Sequence, residues 1–249
     1  MAADDTSGGV LGEGAARMAI TLHRRADDAP RALVLHGRNG AADSDHIRPI
    51  TAALHAQGYT VTVPELRFSD ANASAGSGCN FTFSAHVADA ARALDWLAEL
   101  SPGGARPILI AGHSVGAYAA LRLAADRGAS AVSAVLALSP ASGGGMLIEA
   151  RRAMGAAALQ ALAAEVEGAL QDYPRHDVLP DAARITQPVA LVVGAEDGLT
   201  RPADVARLAA ALPRVVGHEV LEGLHHCPTG ALWEAALDRQ ITALGQALQ

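Results

Sequence analysis

Short apolar runs separated by amphipathic stretches set the rhythm of this chain. Residues 18–24, 32–36, 59–63, 108–111, 134–138, 188–193 and 218–221 read as strands, several of them too uniformly apolar to have a solvent face. Between them, apolar residues recur at helical spacing over about 45–57, 84–100, 115–125, 201–212 and 229–248. Gly58 and Gly128 read as C-caps, and Pro102-Gly103-Gly104 stops the helix before the strand at 108. The alternation predicts an α/β protein with a mostly parallel central sheet and helices on both faces.

Two stretches break the rhythm. Residues 67–83 form a long polar loop, a lid candidate. About 143–187 reads as a short helical cap insert, with helices around 146–154 and 156–170 and an irregular polar segment over 172–181. Residues 1–14, with Asp4, Asp5 and Glu13 among Gly, Ala and Ser, predict a disordered leader ahead of one domain over 15–249.

Composition narrows the function. Half of the 249 residues are hydrophobic but only 3% are aromatic, so the core is built from Ala, Val and Leu, with helices close to the sheet. A net charge of −7, no lysine and no arginine cluster weigh against a nucleic-acid partner. No apolar run is long enough to span a membrane. Cys79 and Cys227 make neither a disulfide framework nor a zinc spacing, and the histidines lack metal-ligand spacing, so we expect a cytoplasmic protein without metal or cofactor. Nothing marks an oligomer interface.

The candidate chemistry starts at Gly112-His113-Ser114-Val115-Gly116. This Gly-x-Ser-x-Gly lies between a buried strand and a helix, where a sharp turn projects the serine hydroxyl and two glycines let strand and helix close up. A serine hydroxyl needs a base to take its proton. Gly223-Leu224-His225-His226 follows the last strand, and only one of the two histidines can point at Ser114; we assign His226, with His225 as the alternative. The base needs a carboxylate to orient it. Gly194-Ala195-Glu196-Asp197 follows the strand at 188–193, and we assign Asp197, with Glu196 as rival; either could instead cap the helix starting near Pro202. Ser114, Asp197 and His226 follow the order Ser, acid, His.

With these motifs the chain resembles the α/β-hydrolase superfamily over about residues 18–248. Leu33-Val34-Leu35-His36-Gly37 is similar to the strand and His-Gly that lead into its oxyanion loop, and Gly223-Leu224-His225-His226 to its Gly-x-Gly-His turn, with His225 in place of the second glycine. The stretch after Pro64 lacks the Gly-rich continuation of many members. The resemblance implies an oxyanion hole from the backbone N–H groups of Arg38 and Val115. It also implies a serine hydrolase acting on a small-molecule acyl substrate, an ester of small to medium acyl size. Thioester, amide or carbon–carbon bond cleavage with the same triad is the alternative, and a non-catalytic binding relative the alternative of another class.

Overall fold

The computed structural model describes residues 5–100 and 107–249. Its strands are β1 (Asp5–Leu11), β2 (Met18–Arg24), β3 (Arg31–Leu35), β4 (Thr60–Pro64), β5 (Ile108–His113), β6 (Val132–Leu138), β7 (Val189–Gly194) and β8 (Val215–Leu221). They form one sheet in the order β1-β2-β4-β3-β5-β6-β7-β8. β2 runs antiparallel to both β1 and β4, and the pairings from β4 to β8 are parallel. Helices α1 (Arg48–Ala56), α2 (Phe83–Glu99), α3 (Val115–Arg127), α4 (Gly144–Met154), α5 (Ala156–Glu165), α6 (Ala169–Asp172), α7 (Pro202–Ala211) and α8 (Ala231–Ala247) complete it. None among the described residues is long and apolar enough to cross a membrane.

Strand side chains alternate between two cores. Leu33 and Leu35 of β3, Ile108 and Ile110 of β5, and Leu191 and Val193 of β7 face a core closed by α2, α3 and α7. Ala32, Val34, Leu109, Ala111, Ala190 and Val192, the residues in between, face a second core closed by α1 and α8 with buried Trp233. Strands buried on both faces read as continuous apolar runs for this reason.

The expected disordered leader is corrected. Asp5–Leu11 is a strand, paired with β2 from Asp5↔Arg24 to Leu11↔Met18. None of the side chains described for it is buried, so it carries no apolar alternation, and its order comes from the backbone groups that β2 offers at its outer edge. Residues 1–4 of that expectation, and the stop at Pro102-Gly103-Gly104, lie outside the described residues.

The loop at 67–83 is corrected as well. The Arg67 guanidinium pairs with buried Asp89 at 2.9 Å, the Phe68 N–H donates to the Ala75 carbonyl at 3.1 Å, and the Asn72 amide donates to the carbonyls of Gly40 and Leu66 at 3.0 Å each. The loop is tied to the body and contributes nothing to the lining of the cavity at Ser114. The insert, α4 and α5 separated at Gly155 (φ +112°), then α6 and a 3-10 turn at Tyr173–Arg175, supplies part of that wall through α4 and Tyr173. The first helix starts at Arg48, three residues later than expected, and the last strand at Val215, three residues earlier.

Candidate active site

β5 ends at His113 and α3 begins at Val115, so Ser114 alone makes the turn. Its backbone stands at φ +57°, ψ −119°, a conformation that costs a residue with a side chain about 1–3 kcal/mol. The surroundings impose it. The Ser114 N–H donates to the Leu138 carbonyl at 2.9 Å, and the Ser114 carbonyl accepts from Ala117 at 3.1 Å and from Ala141 at 3.2 Å. A Cβ at residue 112 would overlap the Gly116 carbonyl, and one at residue 116 would overlap the Leu35 carbonyl, so both glycines are required by contact with backbone.

The turn aims the Ser114 hydroxyl at His226, whose Nε2 lies 3.0 Å from Oγ. On the other side of the ring, Nδ1 lies 2.9 Å from Asp197 Oδ2 and 3.1 Å from Oδ1. The Asp197 carboxylate, 0% exposed, also accepts from the Leu199 and Thr200 N–H groups at 2.9 and 2.8 Å and from the Thr200 hydroxyl at 2.7 Å. Burial by itself would raise its pKa. The hydrogen bond and charge of His226, with the Thr200 donors, outweigh burial and hold the carboxyl below its ordinary value. Three donors and one orienting imidazole suit a permanent carboxylate.

The alternatives separate cleanly. His225 has a 73% exposed side chain and meets Glu196 across 3.3 Å at the surface, away from Ser114. Asp197 organises the turn before α7 and caps no helix; the residue ahead of α7 is Arg201, which makes no side-chain cap. Gly194 lets the two loops meet, since a Cβ there would overlap the Leu224 carbonyl.

Other histidines frame the site. His113 donates from Nε2 to the His226 carbonyl at 2.7 Å, with the tautomer set by this bond, and so fixes the loop that carries His226. Burial, then the nearby His226 and His46, keep His113 well below the usual imidazole range, and burial and His226 bring His46 down to about 4. His46, His113 and Cys227 present donor atoms all within 4.8 Å of one another, a set of two nitrogens and a thiol that could hold a soft divalent metal. They come from three separate segments, so no ligand spacing exists in the sequence to reveal them.

Ser114 opens into a cavity of about 190 Å³. Arg38 and Val115, the expected oxyanion donors, are among its lining residues, and among the described residues neither backbone N–H donates to another protein group. The insert adds Leu147, Arg151 and Tyr173. Sequence reading missed Thr200, His46, Arg151 and Tyr173. Only Thr200 carried a local signal, an Asp-x-x-Thr turn in which a carboxylate collects backbone N–H groups.

Comparison with known proteins bears on the fold and the family. Residues 30–160, more than half of the chain, match the model of the alpha/beta hydrolase fold family. A comparison with curated proteins returns no match. Among solved structures, Est1E from Butyrivibrio proteoclasticus is 16% identical with a TM-score of 0.72, covering 96% of this chain and 99% of its own. An esterase of Pyrococcus furiosus is 17% identical with a TM-score of 0.73, covering 98% and 92%. A putative hydrolase from Agrobacterium vitis S4 is 17% identical with a TM-score of 0.74, covering 98% and 99%. At these identities the shared property is the fold, and with the family match over its central strands and elbow the chain belongs to the alpha/beta hydrolase fold family.

Proposed function

We propose that the protein is a serine hydrolase that cleaves a carboxylic ester of small to medium acyl size through Ser114, His226 and Asp197. The observation that carries this reading is the unbroken line from the Ser114 hydroxyl to His226 at 3.0 Å and from His226 to Asp197 at 2.9 Å. Ser114 Oγ attacks the acyl carbon as its proton passes to His226 Nε2, and the carbonyl pair moves onto oxygen. The Arg38 and Val115 N–H groups meet that oxyanion, each contributing on the order of 3 kcal/mol to the transition state. Collapse breaks the bond to the alcohol, which leaves with the proton from Nε2. Water, deprotonated by the same nitrogen, then attacks the acyl-Ser114, and the acid departs as the proton returns to Oγ. Asp197 holds the ring with Nδ1–H toward itself and stabilises the imidazolium formed in each half.

The cavity size supports a modest acyl group, since about 190 Å³ falls below the roughly 300–1,000 Å³ of common ligand pockets. Esterases among the similar structures, one of them solved with ferulic acid bound, support acyl hydrolysis, and a thioesterase domain among them keeps thioester cleavage as the second reading. The test is hydrolysis of p-nitrophenyl esters from acetate to decanoate. Wild type should show an optimum at short to medium chains, and Ser114→Ala should lose roughly 10⁴–10⁶-fold in kcat. Activity retained by Ser114→Ala would end the reading.

A further inference from the structure

The cavity at Ser114 carries more positive charge than the proposed hydrolysis needs. Besides the backbone donors it presents the side chains of Arg38, from the loop after β3, and Arg151, from α4 of the insert, with Tyr173 between insert and body. Arg38 has a partner, Glu165, at 3.0 Å, whose own side chain is 54% exposed. Arg151 is half-buried and, among the described residues, makes no ion pair and no side-chain hydrogen bond. Burial and then the neighbouring Arg38 lower its pKa, the mark of a cation held near a like charge without a full counter-ion. An unpaired guanidinium on a cavity wall is costly unless something supplies the missing anion.

The phenol points the same way. Tyr173 is 1% exposed, and its hydroxyl has no hydrogen-bond partner among the described residues. Burial pushes its pKa up to about 12 against the pull of the Arg38 and Arg151 charges, so the hydroxyl stays protonated. Tyr173 and Arg151 line the same small cavity, and a neutral O–H donor and a forked cation both suit a carboxylate. α4 and the turn at Tyr173–Arg175 pack tightly: a Cβ at residue 144 would overlap the Tyr173 carbonyl, so Gly144 allows the two donors to approach.

We infer that Arg151 and Tyr173, with Arg38 behind them, bind a carboxylate on the substrate, so that the ester cleaved at Ser114 carries a second, free acid group a few bonds from the scissile carbonyl. This rests on the reading of Ser114 as a nucleophile and adds the substrate class to it. Recognition of the acid would orient the acyl carbon over Ser114 and disfavour plain aliphatic esters of the same length, which would leave the cation and the phenol buried without partners.

The test compares monomethyl glutarate with methyl valerate, of equal carbon number, in wild type, Arg151→Gln and Arg151→Lys. Wild type should prefer the acid ester by at least about tenfold in kcat/KM, Arg151→Gln should lose about tenfold of that preference, and Arg151→Lys should recover most of it, as expected for one charge-assisted hydrogen bond. A preference near unity, or one unmoved in Arg151→Gln, would overturn the inference. Calorimetric titration of glutarate into Ser114→Ala, with and without Arg151→Gln, reads the same site without turnover. Glutarate bound by Ser114→Ala and weakened about tenfold in the double variant would sustain the carboxylate site even if neither ester were cleaved, an outcome that sinks the hydrolase reading alone. No binding of glutarate to Ser114→Ala would sink the carboxylate site.

Discussion

At Ser114 the backbone is held at φ +57° by bonds to Leu138 and Ala141, and the hydroxyl is delivered to His226 at 3.0 Å. The roles around it divide by distance. Asp197→Asn should lower kcat by about 10⁴-fold, because the amide cannot hold Nδ1–H in the needed tautomer, while Glu196→Gln and His225→Ala should leave kcat within about threefold. Steady-state kinetics of the three variants decide it; a large loss in His225→Ala would reassign the base. Ser114 was legible in the sequence because strand, turn and helix adjoin it. Asp197 and His226 were legible only as one of a pair each, with Glu196 and His225, since adjacent residues on a loop point different ways and their direction is set by packing. Arg151, Tyr173 and His46 were not legible, because each reaches the cavity from a segment remote in sequence.

Glycines of the elements fall into two kinds. At residues 112 and 116 an added methyl would meet backbone carbonyls, which cannot swing aside, whereas nothing lies within 4 Å of the position a Cβ would take at residue 145 in α4. Gly112→Ala and Gly116→Ala should therefore cost about 1–3 kcal/mol or more and displace the elbow. Gly145→Ala should stabilise by about 0.5–1 kcal/mol through helix propensity alone. Denaturant titrations of the three variants give opposite signs if the packing is as described. The helices were legible by their helical spacing, and the buried strands as short unbroken apolar runs. β1 was not, because an edge strand with none of its described side chains buried leaves no mark beyond backbone that can pair.

Across the molecule, buried neutral imidazoles couple stability to pH. His36 accepts from the Leu66 N–H at Nε2 (2.8 Å) and lies 2.7 Å from the Gly37 carbonyl at Nδ1, and His86 donates to the His36 carbonyl at 3.0 Å. Burial lowers His36 to about 4 and His86 to about 3. In the unfolded chain both titrate near the ordinary imidazole value of about 6.5, so between that pH and about 4 the unfolded state binds more protons and stability falls as pH falls. Each group contributes a slope approaching about 1.4 kcal/mol per pH unit, readable from denaturant midpoints at pH 7, 6 and 5; flat midpoints would refute it. The bonds at Ser114 also order events during synthesis. Its carbonyl is met by Ala141 and its hydroxyl by His226, 112 residues downstream, so neither contact exists when Ser114 itself emerges. The nascent chain carries the elbow sequence unlocked until β6 has passed, and the site first assembles only after the segment holding His226 has been made.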